Sequence, residues 1–272
     1  MDLIQVNQEK CICCGLCAQV CPTSVINMGN QGPEVIGTEK RCIACGHCVA
    51  ICPQEALDNV KAPLDKQLPI GKIPVLDADT AARFLRGRRS IRRYKQDAVP
   101  REKILQLLDI ARLAPTGSNA QGVAYHVIDN ADILKKITAI TVEWMEEHIQ
   151  KGSPWASYFV GSVDKYRKKG QDVVLRGAPC LVVAITNKNF LPRGRDNTHF
   201  SLAYAELYAP TIQLGTCWAG FFEACATSGY QPLLNLLSLP ADMTVTGGLM
   251  VGYSQYTYKR LVDRNPLQVS WQ

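Results

Sequence analysis

The chain reads "CICCGLCAQVCP" at residues 11–22 and "CIACGHCVAICP" at residues 42–53. Cys11, Cys14, Cys17 and Cys21 recur as Cys42, Cys45, Cys48 and Cys52, each 31 positions later. Gly15 recurs as Gly46 and Pro22 as Pro53, so the segment is an internal duplication. Thiolates are soft metal ligands, and three of them at this spacing on a tight loop can reach three irons of one cubane. In runs of the form C-x2-C-x2-C-x3-C-P the fourth cysteine serves the other cluster of a pair. The spacing therefore assigns Cys11, Cys14, Cys17 and Cys52 to one [4Fe–4S] cluster, and Cys42, Cys45, Cys48 and Cys21 to a second. The fourth cysteine of each run is expected to start a helix pointing across a pseudo-twofold axis, with the proline stopping the loop. The two glycines let the backbone bend close to inorganic sulfide.

Zinc also uses paired cysteines, but eight of them in two interlocked runs disfavour it. Cys13 has Ala44 as its counterpart and is read as a non-ligand, and His47 receives no ligand role. Residues 1–60 resemble a two-[4Fe–4S] bacterial-type ferredoxin domain along their whole length.

These elements sit in a chain of 272 residues, long enough for two domains. Nine of the twelve cysteines fall in the first 52 residues. The start "MDLIQVNQEK" has neither a basic opening nor an apolar stretch, so no secretory signal is read. A dense cysteine pattern without such a signal favours metal over disulfides. The longest clean apolar run, Cys180 to Ile185, is far short of the roughly 18 residues that span a bilayer. The net charge of +6 does not by itself argue for nucleic acid. The expectation is a cytoplasmic protein with no nucleic-acid or membrane partner.

Three prolines and a glycine in "KAPLDKQLPIGKIP" make residues 61–76 a linker. Beyond it helical periodicity begins. Ile104, Leu107, Leu108 and Ala111 share one face of a helix starting near Pro100 and ended by Pro115. Residues 124–129 read as a strand, and 131–149 as a second amphipathic helix through Ile133, Leu134, Ile137, Ile140, Trp144 and His148. Residues 181–185 read as a core strand. "DNTHFSLAYAELYAPTIQLG" reads as a helix apolar nearly all round, hence central and buried. "QPLLNLLSLP" is a short helix and "TVTGGLMVGY" a last core strand. Strands separated by more numerous helices predict an α+β or α/β domain over residues 77–272.

Three stretches of that domain suit one ligand. Phosphate needs several cations and hydroxyls, and arginine binds it in bidentate fashion. Arg88, Arg89, Ser90 and Arg92 of "RGRRSIRRY", with Lys259 and Arg260, supply them. A flat polar heterocycle needs donors and acceptors along one edge, and Ser118, Asn119 and Gln121 of "APTGSNAQ" offer those. Phosphate and polar ring beside an iron–sulfur module point to FMN. Taken singly, each stretch has a plainer explanation in a solvated face or an ordinary turn.

"RRSIRRY", then "APTGSNAQ", then "GTCWAGF", then a strand ending in "GY" followed by basic residues, resembles the FMN-dependent nitroreductase family from about Asp77 onward. The resemblance implies an α+β sandwich with a mixed sheet, an intertwined homodimer, and FMN at the subunit interface. It implies that Arg88–Ser90, Arg92, Lys259 and Arg260 hold phosphate and ribityl chain. It further implies that Pro115, Thr116, Ser118, Asn119 and Gln121 meet the ring, with Trp218 and Gly220 bordering it. Tyr94 stands where many members have phenylalanine. No catalytic acid is assigned. Cys180, Cys217 and Cys225 read as small buried residues.

The expected function is an oxidoreductase passing electrons from ferredoxin or another low-potential donor through the clusters to FMN and on to a small organic acceptor, a nitro compound or quinone. The alternatives are an NAD(P)H-driven nitroreductase with auxiliary clusters, and a non-catalytic carrier or redox sensor. Residues 140–175, with Trp144, Trp155, Tyr158 and Phe159, are expected to wall the pocket or to pack a dimer interface.

Overall fold

A computed structural model of the chain describes residues 2–71 and 73–272. The chain divides into two compact units, residues 1–75 with 118–120, and residues 76–117 with 121–272.

The first unit runs β1 (Ile4–Val6), α1 (Leu16–Gln19), β2 (Ile26–Gly29), β3 (Gly32–Val35), α2 (His47–Ala50) and β4 (Leu57–Asn59). β1 pairs with β4 and β2 with β3, both antiparallel. The sequence repeat is also a backbone repeat. Gly15 and Gly46 turn the chain at φ 75° and 72°, and Cys13 and Ala44 lie at 49° and 56°. Ser24 and Glu55, also 31 positions apart, lie at φ 50° and 48°. Leu3, Val25, Ile26, Val49 and Leu57 form the core between the two halves. The fourth cysteines do not start helices. α1 and α2 begin directly after the glycines, whose left-handed conformation launches them, so Cys17 and Cys48 are helical. Cys21 and Cys52 lie two residues past the helix ends, where Pro22 and Pro53 forbid a further turn. The first half of the predicted linker folds back on this unit through a 3₁₀ turn at Leu64–Lys66. The Leu64 amide donates to Asp58 Oδ1 at 2.8 Å, and Gln67 Nε2 donates to the Ala62 carbonyl at 2.9 Å.

The second unit contains α3 (Ala78–Gly87), α4 (Arg101–Ala111), β5 (Ala124–Ile128), α5 (Ala131–Gln150), α6 (Ala156–Lys169), β6 (Cys180–Asn187), α7 (Arg193–Tyr208), β7 (Gly215–Trp218), α8 (Gly220–Thr227), α9 (Gln231–Leu237) and β8 (Met243–Gly252). Its sheet has the order β5-β6-β8-β7, every neighbour antiparallel. Among the described residues, the parallel component is a single bridge between Ser90 and Thr216. Side chains alternate across a strand, and β6 shows it. Leu181, Val183 and Ile185 enter the core under α5, α8 and α9. Cys180, Val182 and Ala184 enter the core under α4 and α7. Helices therefore cover both faces, which is why β6 reads as a continuous apolar run.

α7 departs from its expected all-round burial. Phe200 and Tyr204 are exposed, while Asn197, Thr198, Ser201 and Glu206 are buried beside Leu202 and Ala205. The buried face tolerates polar groups because they are paired: Thr198 with Thr246 at 2.7 Å, and Ser201 with Tyr125. Among the described residues, no helix is long and apolar enough to cross a membrane.

α7 and α8 approach β8 from opposite faces at two adjacent glycines. A Cβ on Gly247 would lie 2.7 Å from Thr198 Cγ2, and one on Gly248 would lie 2.8 Å from Phe222 Cδ1. Glycine in a strand is the mark of such close approach. Gly248→Ala is expected to cost about 1–3 kcal/mol by overpacking. Gly161→Ala on exposed α6, where nothing lies within 4 Å of the added Cβ, is expected to stabilise. The gain should be about 0.5–1 kcal/mol, the usual helix preference for alanine. Urea unfolding of both variants tests the pair, and a neutral Gly248→Ala would refute the close-packing account.

Candidate functional site

The duplicated cysteines line two cavities. One is bounded by Cys11, Cys14, Cys17 and Cys52, with Cys13 and Met28 beside them. The other is bounded by Cys42, Cys45, Cys48 and Cys21, with Asn59. Each takes three thiols from one run and one from the other, the interlocked sets expected from the spacing. Among the described residues, no three His, Cys, Asp or Glu side chains group as a single metal ion would require. Burial pushes the Cys17 and Cys48 thiols up, so loading these sites with metal must displace protons. The sulfurs already meet donors. The Ala56 amide donates to Cys52 Sγ at 3.3 Å, and Asn59 Nδ2 donates to Cys48 and Cys42 Sγ at 3.7 and 3.8 Å. The donor set fits a pair of cubanes. His47 is exposed and does not line the second cavity.

The arginine run is organised by the C-terminal segment. The Ile91 amide donates to the Thr216 carbonyl at 2.8 Å. The Lys95 amide donates to the Tyr253 carbonyl, and the Gln255 amide to the Arg93 carbonyl. Ser90 is thereby fixed beside β7, and residues following Tyr253 are led back along the run. Arg89 donates to the Arg260 carbonyl and stacks over the Tyr258 ring at 5.2 Å. Arg88 Nη1 faces Ser90 Oγ and Glu206 Oε1, each at 3.4 Å, and its other nitrogens have no partner among the described residues. Arg92 Nη1 donates to the Ser90 carbonyl at 3.4 Å. Lys259 is exposed in the same segment.

Glu206 was not anticipated. It is buried on α7, accepts from Trp218 Nε1 at 2.8 Å and pairs with Arg88. Burial pushes its carboxyl above the usual carboxylate range, with the Trp218 bond and Arg88 pulling it back. One residue thus ties the basic run to Trp218. The sequence signal was a lone acid on the buried side of an otherwise apolar helix end.

The "APTGSNAQ" stretch lies elsewhere. The Gly117 amide donates to Asn197 Oδ1 at 3.0 Å, and the Gln121 amide to Thr116 Oγ1 at 3.1 Å. Ser118, Asn119 and Gln121 adopt left-handed φ of 54°, 52° and 49°. Pro115 is exposed just before this turn. Asn119, which groups with the first unit, spends its amide on the carbonyls of Ile43 and Ala44, each at 3.0 Å. Asn197 and Glu206 are nine residues apart on α7, about 13.5 Å along the helix. Gly117 and Arg88 therefore meet α7 near its opposite ends.

Arg92, Trp218 and Gly220 line a pocket of about 660 Å³. Trp144, Trp155, Tyr158 and Phe159 wall it, as residues 140–175 were expected to, and Cys217 and Arg176 contribute as well. Cys217 is buried, and its thiol is pushed up by burial against the pull of Arg92 and Arg176. Cys180 and Cys225 are buried away from this pocket, with thiols pushed up to about 12 by burial.

Residues 85–253 match the nitroreductase family, and residues 10–57 match the 4Fe-4S dicluster domain. The chain belongs to the nitroreductase family. The solved structure of a nitroreductase with bound FMN from Desulfitobacterium hafniense shares the fold at TM-score 0.56 and 18% identity, covering 70% of this chain and 97% of that one. Oxidised iodotyrosine deiodinase bound to FMN and 3-iodo-L-tyrosine matches at TM-score 0.54 and 20% identity, covering 70% and 98%. Among curated proteins, nitroreductase NfnB of Mycolicibacterium smegmatis is 32% identical over 89 residues, 32% of this chain and 37% of its own length. Iodotyrosine deiodinase of Danio rerio is 27% identical over 174 residues, 61% of this chain and 57% of its own length. The chain thus spans 37% and 57% of these two relatives.

Two predictions arise here. Asn59 and Met28 occupy the same repeat position, yet only the amide donates to sulfur, since a thioether has no proton to give. Asn59→Met should lower the potential of one cluster and leave the other unmoved in an EPR-monitored redox titration, because donors to sulfur stabilise the reduced state. No change at either cluster would discard that tuning role. The second concerns Glu206, whose folded pKa lies above its unfolded one. Between those values the native state binds more protons, so this group's contribution to stability falls as pH rises. Glu206→Gln lacks that slope, so its stability relative to wild type should increase with pH above the ordinary glutamate range. Parallel slopes in urea unfolding from pH 4 to 8 would count against the buried charge.

Proposed function

We propose that this nitroreductase-family protein is an iron–sulfur flavoprotein oxidoreductase that takes electrons from a low-potential donor and delivers them to a small organic acceptor. The observation that carries the reading is that one chain combines two interlocked four-cysteine cradles with a basic arm built beside a large aromatic pocket. The solved relatives named above bind FMN. Here Arg88, Arg89, Ser90, Arg92, Lys259 and Arg260 would hold its phosphate and ribityl chain, and Trp218 and Gly220 would border its ring. FMN supplies exchange between single electrons and electron pairs, and [4Fe–4S] clusters supply single-electron transfer.

The chain's own residues bind, orient and shield. Glu206 holds the indole of Trp218 and one nitrogen of Arg88, so the ring wall and the phosphate arm share a single anchor. The aromatic walls exclude water, and a drier site strengthens the pull of its cations. The separation of Gly117 from the basic arm along α7 supports a homodimer in which residues of one chain complete the partner's site. Unpartnered apolar surface supports it too. α3 has no buried residue and carries exposed Phe84 and Leu85, and Leu267 and Trp271 are 89% and 91% exposed. A low-oxygen cytoplasm is the proposed setting.

A second reading is an NAD(P)H-driven reductase, the nicotinamide taking the acceptor's place in this pocket, whose volume of about 660 Å³ lies within the roughly 300–1,000 Å³ usual for one ligand. Anaerobic visible spectroscopy of the loaded protein separates the two. Reduced ferredoxin is expected to bleach the flavin band, and Cys11→Ser with Cys42→Ser to abolish that response. Bleaching by NADH or NADPH alone would transfer the entry port to the pocket. Arg89→Ala should weaken FMN about 10- to 100-fold while sparing riboflavin, as loss of charge-assisted bonds worth about 1.5–3 kcal/mol predicts. Equal affinity of both flavins for wild type would remove the basic arm from the phosphate.

A further inference from the structure

Among the described residues, no acid lines the pocket bounded by Trp218 and Gly220. Two arginines, Arg92 and Arg176, and His148 line it, with no Asp or Glu among its lining residues. The rest of the wall is largely aromatic. Phe159 lies 5.3 Å from Trp144 and 6.0 Å from Phe221, and Tyr158 lies 5.8 Å from Phe221, all in tilted or edge-on pairs. Arg92 belongs to the basic run that already serves the proposed flavin arm. Arg176 belongs to no such run.

Arg176 is held where an arginine does not settle by itself. Its φ is 60°, in the left-handed region that favours glycine. Asp172 enforces the turn. Its Oδ1 accepts from the Val174 and Leu175 amides at 3.0 and 2.9 Å and from Thr138 Oγ1 at 3.1 Å, and its Oδ2 accepts from the Gly177 amide at 2.9 Å. Strain of this kind persists only when the surroundings over-determine it, and it gathers at ligand sites. Arg176 has no ion-pair or hydrogen-bond partner among the described residues, although it is only partly exposed. The fold therefore presents an unpaired guanidinium to a flat, aromatic, acid-free cavity.

We propose that this pocket takes a flat aromatic acid and that Arg176 is the anchor for its carboxylate. The assignment rests on reading the pocket as the acceptor pocket of the flavoenzyme. The ring of such a ligand packs against Phe159, Phe221 and Trp144, and its carboxylate meets the planar fork of Arg176, the geometry in which arginine outperforms lysine. A neutral aromatic of the same shape keeps the ring contacts and forfeits the charge-assisted pair.

Benzoate and benzamide differ in that one respect. Calorimetric titration of the FMN- and cluster-loaded protein is expected to give benzoate an affinity about tenfold or more above benzamide, since ionised partners roughly double a hydrogen bond's strength. Arg176→Gln should erase the preference while leaving benzamide binding and FMN content unchanged. Arg176→Gly suits the left-handed backbone, folds at least as well, and should behave the same way. Equal binding of the two probes by wild type, or a benzoate preference that survives both variants, overturns the assignment. So does loss of FMN from both variants, because Arg176 would then serve the cofactor. A wild-type protein that retains no FMN would sink the flavoenzyme reading instead, and the benzoate-to-benzamide ratio would still judge the pocket.

Discussion

The adjacent glycines of β8 hold α7 and α8 closer to the sheet than any side chain would allow. β8 lies between β6 and β7, so both helices press on the middle of the sheet, one on each face. The pocket and its supports follow from that contact. α7 sets Glu206 at Trp218 and Arg88, and Asn197 at the Gly117 turn. α8 starts immediately after β7 and lends Gly220 and Phe221 to the pocket wall. A methyl group on either glycine would push a helix outward and loosen both ends of the site together, because packed interiors transmit displacement rather than absorb it.

Burying Glu206 is the costly step in this arrangement. A carboxylate taken out of water is tolerated when its oxygens find donors, and here an indole N–H and a guanidinium supply them. The arrangement makes the wall of the pocket and the basic arm answer to one group. Arg88 engages this pair through a single nitrogen, so the remaining edge of its fork can meet an incoming anion without breaking the internal contact.

The first unit shows how duplication yields two similar but unequal sites. Backbone turns repeat within a few degrees at Gly15 and Gly46, because only that conformation launches a helix with its third cysteine facing inward. Side chains outside the ligand set are free to diverge. Met28 and Asn59 did so, and one cradle gained a side-chain amide donor where the other has a thioether. Two clusters held in such cradles would differ in potential although their ligands are the same in kind and spacing.

The cysteine sets were legible because three short intervals, written twice, mark three sulfurs of each run for one site and the fourth for the other; the structure brings those same sets together. β6, α4 and α5 were legible from periodicity, since one buried face or two leave a regular imprint. The burial of α7 was misjudged because its inward face is polar, and polar residues announce burial only when their partners are known. Arg89 and Arg260 are separated by 171 positions, and their meeting depends on the pairing of Tyr94 with Ser254. Arg176 carried no signal at all, because its importance comes from a turn held by Asp172 and from a cavity without acids. The sequence by itself determined the local devices: cluster loops, strand and helix periods, and the basic run. Only the tertiary structure decided which distant side chains share a charge, because Coulomb and packing partners are chosen by proximity in space and leave no period in the chain.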